Sequence, residues 1–491
     1  MHGGGDHKDS DKARAGQGQP GTARLDDAKI QAIVAEVVRR LASDGAPTAH
    51  IKRNADGRRG IFVDVDGAVA AARDAYAQLQ KTPADVRRRA IEAMRRVSLD
   101  HLEEMAKRAV AETGLGRVDD KIQKNRLVVE KTPGMEILQP PAFTGEHGLT
   151  LDEYGPLGII GSITPCTNAT ETILNNAISM IAGGNTVVFN VHPSAKGTLR
   201  WYVELLNEAM VRVGAPDNLL TMIAEPTIDS AQQVMKHPGI RLLAVTGGGP
   251  VVKAALASGK RAVCAGPGNP PAVVDETADL RAAAKNIIAG ASLDNNIVCI
   301  VEKEILVVEA VADRFKAEMT AAGAVEVKGQ DLRRLEELLI VDGHVNRKYV
   351  GKNAAVILAD AGIRAPDATR IAFAEVDEKH PFVQLEMLLP VLGLVRCRDW
   401  QDAVAMAVRV EHGFFHTATM HSMAIDRLDA MARAVNTSIF VKNAPSYAGL
   451  GLGGEGYTAW TIAGTTGEGL TTARTWTKQR RCTLEGFFRI V

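Results

Sequence analysis

Cys299 sits in the run Asp294-Asn295-Asn296-Ile297-Val298-Cys299-Ile300, after a helical stretch and before the apolar strand Ile305-Leu306-Val307-Val308. A cysteine at such a boundary, beside two asparagine side chains, has the setting of a nucleophile. Free cysteine is more often small buried filler, so the residues alone leave both roles open. The turn Thr246-Gly247-Gly248-Gly249-Pro250 follows an expected strand and precedes an expected helix, Val251 to Ala257. Its glycines let backbone N–H groups face a phosphate at the helix N-terminus, although it is not a GxGxxG fingerprint. Ile163-Thr164-Pro165-Cys166-Thr167-Asn168 also ends a strand in a loop, where the Asn168 amide could stabilise an oxyanion. Gly449-Leu450-Gly451-Leu452-Gly453-Gly454-Glu455-Gly456 reads either as a phosphate cradle or as a mobile loop near a cleft. His412, His416 and His421 have no accompanying Cys or Asp pattern and fit no usual metal template; they read as structural or hydrogen-bonding histidines.

These residues need a scaffold, and the patterning supplies one. From Ile61 to about Leu138 the chain reads as helices, for example Val65 to Leu79 and Ala84 to Arg108. Short buried strands follow at Gly158 to Ile163, Thr186 to Asn190 and Leu242 to Thr246, with helices at Glu171 to Ile181 and Thr198 to Val211. Strands alternating with helices at this spacing imply βαβ units and a parallel sheet. A second α/β set runs from Ala272 to about Asn436, and Gly266-Pro267-Gly268-Asn269-Pro270-Pro271 between the two sets is a tight irregular turn between domains.

The chain has 491 residues, 46% hydrophobic and 24% charged, the balance of a globular protein with a large core in two or three domains. Lys+Arg and Asp+Glu are both 58, which argues against a whole-molecule grip on nucleic acid or an acidic membrane. No window approaches the ~18 apolar residues of a transmembrane helix, and the N-terminus lacks the apolar core of a secretory signal. Cys166, Cys264, Cys299, Cys397 and Cys482 are few, odd in number and dispersed, as in reduced cytosolic chains. A soluble intracellular α/β enzyme is expected.

Residues 1–24 are polar and read as disordered. Ile30, Ile33, Val34, Val37, Val38 and Leu41 then form one stripe of a helix within 25–45, capped by Asp26 and Asp27 and stopped by Gly45 and Pro47. Residues 46–59 read as a linker. A helix between two flexible segments has no core of its own; it docks either on its own domain or, as the flanking linkers favour, in a groove of a partner protein.

Several segments, taken in order, carry a resemblance. They are Glu112-Thr113-Gly114-Leu115-Gly116-Arg117, Asp120-Lys121-Ile122, Ile163 to Thr172, Val245-Thr246-Gly247-Gly248, Ala265-Gly266-Pro267-Gly268-Asn269, Asn295 to Cys299, Glu411-His412-Gly413-Phe414, and Asn443 through Thr465. As an ordered set, from about residue 60 to the C-terminus, they resemble the aldehyde dehydrogenase superfamily. The resemblance is narrowest to its CoA-acylating branch, the propionaldehyde and acetaldehyde dehydrogenases of bacterial microcompartments.

The resemblance implies an α/β fold of two Rossmann-like parallel-sheet domains plus a small β oligomerisation element. The cofactor-binding domain would span 60–265, with about 140–155 contributing to oligomerisation. The catalytic domain would span 266–466, and 467–491 would form a C-terminal return and oligomerisation strand. Cys299 would be the nucleophile, and Asn168 with the Cys299 N–H the oxyanion hole. Thr164, Pro165, His192, Thr246, Gly247, Gly248, Gly266 and Glu386 would bind the cofactor. NAD and coenzyme A are the implied cofactor and co-substrate. A short-chain aldehyde, a shell protein bound through the 25–45 helix and a homotetramer or homodimer are the implied partners. The location would be the cytoplasm, within a microcompartment.

One departure bears on the reaction. Hydrolytic members carry a general-base Glu in a Glu-Leu-Gly-Gly motif, where this chain has Cys264-Ala265-Gly266-Pro267. Without that base, a Cys299 thioester waits for a thiol instead of being hydrolysed. His192-Pro193 replaces the Lys-Pro that binds the adenosine ribose in hydrolytic relatives, and Cys166 and Ala169 also depart from close relatives. The alternatives are a hydrolytic aldehyde or semialdehyde dehydrogenase and a non-catalytic shell-associated protein.

Overall fold

The computed structural model describes residues 57–488. The 25–45 helix and the stretches before it lie outside the described residues.

Six short strands form a wholly parallel sheet in the order Ile61–Phe62, Leu220–Ile223, Thr186–Val191, Ile159–Thr164, Ile240–Thr246, Ala262–Ala265. The central strands Ile159–Thr164 and Thr186–Val191 are buried at every residue, as expected when helices cover both faces. The chain order reverses beside Ile159–Thr164, with Thr186–Val191 on one side and Ile240–Thr246 on the other. That is a topological switch point, and ligands of such sheets bind outside it at the carboxyl ends of the strands.

The chain crosses at residues 266–270 to a second parallel sheet of seven strands. Its order is Val325–Glu326, Ala372–Glu375, Val391–Cys397, Glu304–Val308, Pro271–Val274, Thr417–His421, Ile439–Lys442. A separate antiparallel sheet pairs Ala142–Gly145 with Gly148–Pro156, and Gly148–Pro156 with Thr477–Glu485 near the C-terminus. Apart from Thr477, the Thr477–Glu485 strand is exposed along its length.

The helical region departs from expectation in one place. Ala84–Asp100 and Leu102–Thr113 are separate helices, broken at His101 (φ −119°, ψ 16°). The His101 ring donates to the Val97 carbonyl at 2.7 Å and so competes with the helical ladder. The second helix ends on Gly114 in the left-handed conformation. Its penultimate residue, Glu112, accepts from the Gly197 and Thr198 amides, both at 2.7 Å, and caps the helix Lys196–Arg212.

Helix Ala169–Ala182 is buried on every side, so its polar residues must find partners inside the protein. Asn175 accepts from Trp460 N (3.0 Å), Asn176 donates to Ser162 Oγ (3.2 Å), and Ser179 Oγ accepts from Trp476 Nε1 (3.1 Å). Buried Asn185, at the turn after this helix, accepts from the Leu157 (2.8 Å) and Gly158 (3.1 Å) amides. Its Nδ2 donates to the carbonyls of Met180 (3.1 Å) and Trp476 (2.9 Å). One side chain thus joins the antiparallel sheet, the central strand and the C-terminal segment. Asn185→Leu keeps the volume but strands both amides, and should cost about 3 kcal/mol, read as a lower urea midpoint against wild type.

Candidate active site

The cleft opens along the carboxyl edge of the first sheet and has a volume of about 800 Å³. Its walls are the loops after four strands: 164–168 after Ile159–Thr164, 192–193 after Thr186–Val191, 247–248 after Ile240–Thr246, and 266–267 after Ala262–Ala265. The other side is built by Ile297, Val298, Cys299, Glu386 and Leu388, with Leu450 and Trp460 from the C-terminal segment. Thr164, Pro165, Asn168, His192, Thr246, Gly247, Gly248, Gly266, Cys299 and Glu386, scattered over 223 positions, all line this one cleft.

Cys299 keeps partial exposure to the cleft, and burial pushes its thiol up to about 12, with the Glu386 carboxylate adding to the rise. Lys303 and Lys124 pull in the opposite direction. Lys303 is buried, donating to Asn296 O (2.7 Å), Asn296 Oδ1 (2.7 Å) and Val298 O (3.2 Å). Burial lowers that ammonium to about 8, against the attraction of Glu386 and Cys299. Its neighbour Glu302 accepts from Ser446 N and Oγ, both at 2.8 Å, and burial raises its carboxyl to about 7.

Asn168 occupies the N-cap of Ala169–Ala182, yet its side chain caps nothing. Its Oδ1 accepts from Lys124 Nζ at 2.7 Å, and its Nδ2 has a 3.4 Å contact with Thr167 Oγ1. An amide carbonyl held by an ammonium leaves the amide hydrogens for another acceptor. Glu386 Oε1 accepts from Gly268 N at 3.1 Å, and burial raises its carboxyl. A Cβ on Gly268 would lie 2.7 Å from the Cys299 carbonyl and 3.1 Å from the His416 ring, so the crossing can pass beneath Cys299 only as glycine.

The cofactor-type features share the cleft. Gly248 is the N-cap of helix Gly249–Leu256, and a Cβ on Gly249 would meet nothing within 4 Å, which leaves open space over the helix N-terminus. Thr164 Oγ1 is buried with no partner. Ile228, 79% exposed, borders the cleft with Ala231, Met235, Val251 and Ala254, an apolar slot between helices Ile228–Lys236 and Gly249–Leu256. Phosphate donors, an unsatisfied hydroxyl and an apolar slot fit a dinucleotide.

Other expectations fare differently. Asn295 and Asn296 do not face the thiol: Asn295 Nδ2 donates to Gly351 O and Asn353 Oδ1, and Asn296 Nδ2 to Ala291 O and Glu302 O. In the glycine-rich run, the Gly451 and Gly454 carbonyls each accept from Lys131 Nζ at 2.7 Å; those carbonyls grip a cation, which is the wrong polarity for a phosphate cradle. His416 is buried beside Gly268, with Nδ1 at 2.9 Å from Thr417 Oγ1, and burial lowers it to about 4. No metal-type cluster is found among the described residues. Cys264 is buried in the apolar cluster beneath helix Gly249–Leu256 and does not line the cleft.

Lys124 and Lys303 were missed by sequence reasoning. Lys121, Lys124, Asn125 and Val128 share one buried helix stripe, and Glu302-Lys303-Glu304 interrupts two apolar runs. Charge on an apolar stripe or inside an apolar run was the available signal.

The sequence model of the aldehyde dehydrogenase family matches residues 49–336. An acetylating acetaldehyde dehydrogenase, EutE, of Salmonella typhimurium is 46% identical over 94% of this chain and 99% of its own. The propionaldehyde dehydrogenase of the Clostridium phytofermentans fucose utilisation microcompartment superposes with a TM-score of 0.87 at 46% identity, covering 88% of this chain and 100% of that one. The propionaldehyde dehydrogenase of Rhodopseudomonas palustris, solved with bound CoA and an acylated cysteine, gives 0.85 and 46%, over 87% of this chain and 98% of that one. With two parallel sheets, one cleft and this similarity along most of its length, the chain belongs to the aldehyde dehydrogenase family.

Proposed function

We propose that the protein oxidises a short-chain aldehyde, propionaldehyde in preference to acetaldehyde, with NAD and CoA, to the acyl-CoA and NADH through a Cys299 thioester. The observation that carries this reading is the cleft's acid content. Among the described residues Glu386 is the only carboxylate lining it, and Gly268 N already holds one oxygen of that carboxylate. Hydrolysis needs a base free to activate water, and in hydrolytic relatives that base is a carboxylate. Cys264, at the place where hydrolytic relatives carry that base, is sealed in the core with its thiol raised to about 11 by burial.

The Cys299 thiol gives up its proton to solvent as its sulfur bonds to the aldehyde carbon, and charge develops on the aldehyde oxygen. Asn168 Nδ2 and the Cys299 N–H are the donors assigned to that oxygen. A bound nicotinamide supplies the acceptor for the hydride lost when the adduct becomes a thioester. Ile297, Val298, Leu450 and Trp460 form an apolar wall that keeps water from the thioester. The CoA sulfur then attacks the thioester carbon, the same donors hold the oxygen, and the Cys299 sulfur leaves and recovers a proton.

NAD over NADP is supported by charge. His192 is exposed at the mouth of the cleft, and partial desolvation lowers it toward the neutral form. Lys196 and Arg200, the next cations along the chain, both pair with Glu225 and are poorly placed to receive a 2′-phosphate. The same reading takes the 25–45 helix as the segment that docks in a shell protein of a microcompartment, and the exposed Thr477–Glu485 strand as a self-association edge.

Purified protein supplied with propionaldehyde and NAD should form NADH continuously only when CoA is present, with propionyl-CoA as product. Equal rates without CoA, yielding free propionate, would instead make it a hydrolytic enzyme. Acetaldehyde and NADP in parallel should give lower kcat/KM. Because burial pushes the Cys299 thiol up to about 12, its inactivation by iodoacetamide should rise about tenfold per pH unit from pH 7 to 9. A plateau below pH 8 would show a depressed thiol and defeat that assignment. Removing residues 1–45 should leave turnover unchanged and abolish co-purification with shells; full co-purification would exclude the docking role.

A further inference from the structure

Beneath the cleft lies a buried set of two cations and two carboxylates that the reaction scheme has not used. Lys121, Lys124, Glu171 and Asp294 are each at most 1% exposed. Lys124 Nζ is 2.6 Å from Asp294 Oδ2 and 3.0 Å from Glu171 Oε1, and Lys121 Nζ is 2.8 Å from Asp294 Oδ2. Burial opposes charge on Lys124, but Asp294 and Glu171 more than offset it and the ammonium stays charged.

The set touches the site at two points. Lys124 donates to Asn168 Oδ1 at 2.7 Å. An ammonium has no lone pair, so the Asn168 oxygen must face it and the NH₂ must face away. The bond also draws charge from the amide carbonyl, which makes those N–H groups better donors. Asp294, for its part, begins a run of three left-handed residues, Asp294, Asn295 and Asn296, with φ of 49°, 55° and 68°. Such a run is strained and persists only if its surroundings hold it. Two ammonium groups and the Arg117 amide (2.7 Å) hold the Asp294 carboxylate. Gly116, at φ 78°, leaves the room: a Cβ there would sit 2.0 Å from Asp294 Oδ1. The run ends three residues before Cys299.

We propose that Lys124 is a positioning residue for the oxyanion: through Asn168 it aims and polarises the side-chain donor, and through Asp294 it fixes the loop that carries the main-chain donor. This rests on the assignment of Asn168 and Cys299 above. A buried ion set is a poor stability device compared with apolar packing, which favours an orienting role.

Lys124→Met alone would leave a surplus of buried negative charge and is open to misfolding. The test therefore uses the full chain carrying Lys124→Met with Glu171→Gln, which removes one charge of each sign, against Glu171→Gln alone. Loss of one oxyanion donor lowers kcat by about 10²–10³, so loss of its orienting partner should lower kcat by about thirtyfold. KM for the aldehyde should move less than about threefold. Alkylation of Cys299 by iodoacetamide develops no oxyanion, so its rate should fall far less than kcat, by no more than the small rise of the thiol that loss of the Lys124 charge brings. Added to Asn168→Ala, the same pair of substitutions should cost clearly less than in the wild-type background, since the route through Asn168 is already lost and only the one through Asp294 remains. A full thirtyfold loss in the Asn168→Ala background, or alkylation falling in step with kcat, would overturn the proposal. Failure of wild type to show CoA-dependent turnover, or full activity in Asn168→Ala, would remove the functional assignment on which it rests.

Discussion

Parallel strands all finish on the same edge of their sheet, and the first sheet uses that constraint to bring distant residues together. In register, Thr164 lies opposite Val191, and Thr246 opposite Ala265, so the loops that follow emerge side by side. No local signal has to bring Thr164, His192, Thr246 and Gly266 into one cleft; the hydrogen-bond ladder does it. The crossing at 266–270 completes the arrangement by passing directly under the Cys299 carbonyl. At Gly268 no side chain can be fitted, so the point where the chain passes between the two sheets is packed against the main chain of Cys299 itself.

Electrostatics is the second constraint. The idealised cost of moving an ion from water to a dry interior is on the order of 20 kcal/mol, and several kcal/mol survive relaxation. The protein nevertheless buries lysines on both sides of Cys299, Lys124 and Lys303, and each is compensated differently. Lys124 has two carboxylates and a side-chain amide, and it stays charged. Lys303 has three amide-type oxygens, two of them main-chain, and burial brings it down to about 8. A fixed cation and a softer one therefore flank a thiol that burial keeps protonated. Glu304, next along the chain, has neither carboxylate oxygen bonded, and burial pushes its carboxyl well above the usual carboxylate range.

Much of this was legible in the sequence. The β-runs ending at Ile163, Asn190 and Thr246 were visible because fully buried parallel strands are continuous apolar segments, and their ends fell within one residue of the observed ones. The glycines of Thr246-Gly247-Gly248 announced a turn into a helix, and Cys299 stood out at an element boundary. The remainder depended on tertiary contacts. His101 breaks a helix through a ring bond that no periodicity encodes. Asn295 and Asn296 looked like partners of the thiol, yet both are spent on backbone carbonyls that lie five or more positions away. The glycine-rich run near 451 looked like an anion cradle until Lys131, more than three hundred positions earlier, took its carbonyls. Lysine is read as a surface residue by default, so Lys121 and Lys124 were passed over as the floor beneath the cleft although their place on an apolar stripe marked them.

The antiparallel pairing of Gly148–Pro156 with Thr477–Glu485 bears on how the protein is made. Gly148 pairs with Glu485, so two strands of one small sheet are separated by nearly the whole remaining chain. The same C-terminal segment sends Trp460 and Trp476 into the core that surrounds helix Ala169–Ala182. A ribosome delivers residues from the N-terminus onward, so the first sheet emerges with that core unfilled and Asn185 short of a carbonyl partner. Closing so long a loop is slow, because its entropy is lost before any distant contact rewards it. The first half of the chain is therefore held open until residues 477–485 have emerged, with apolar helices awaiting their last neighbours, and becomes native only when that strand docks.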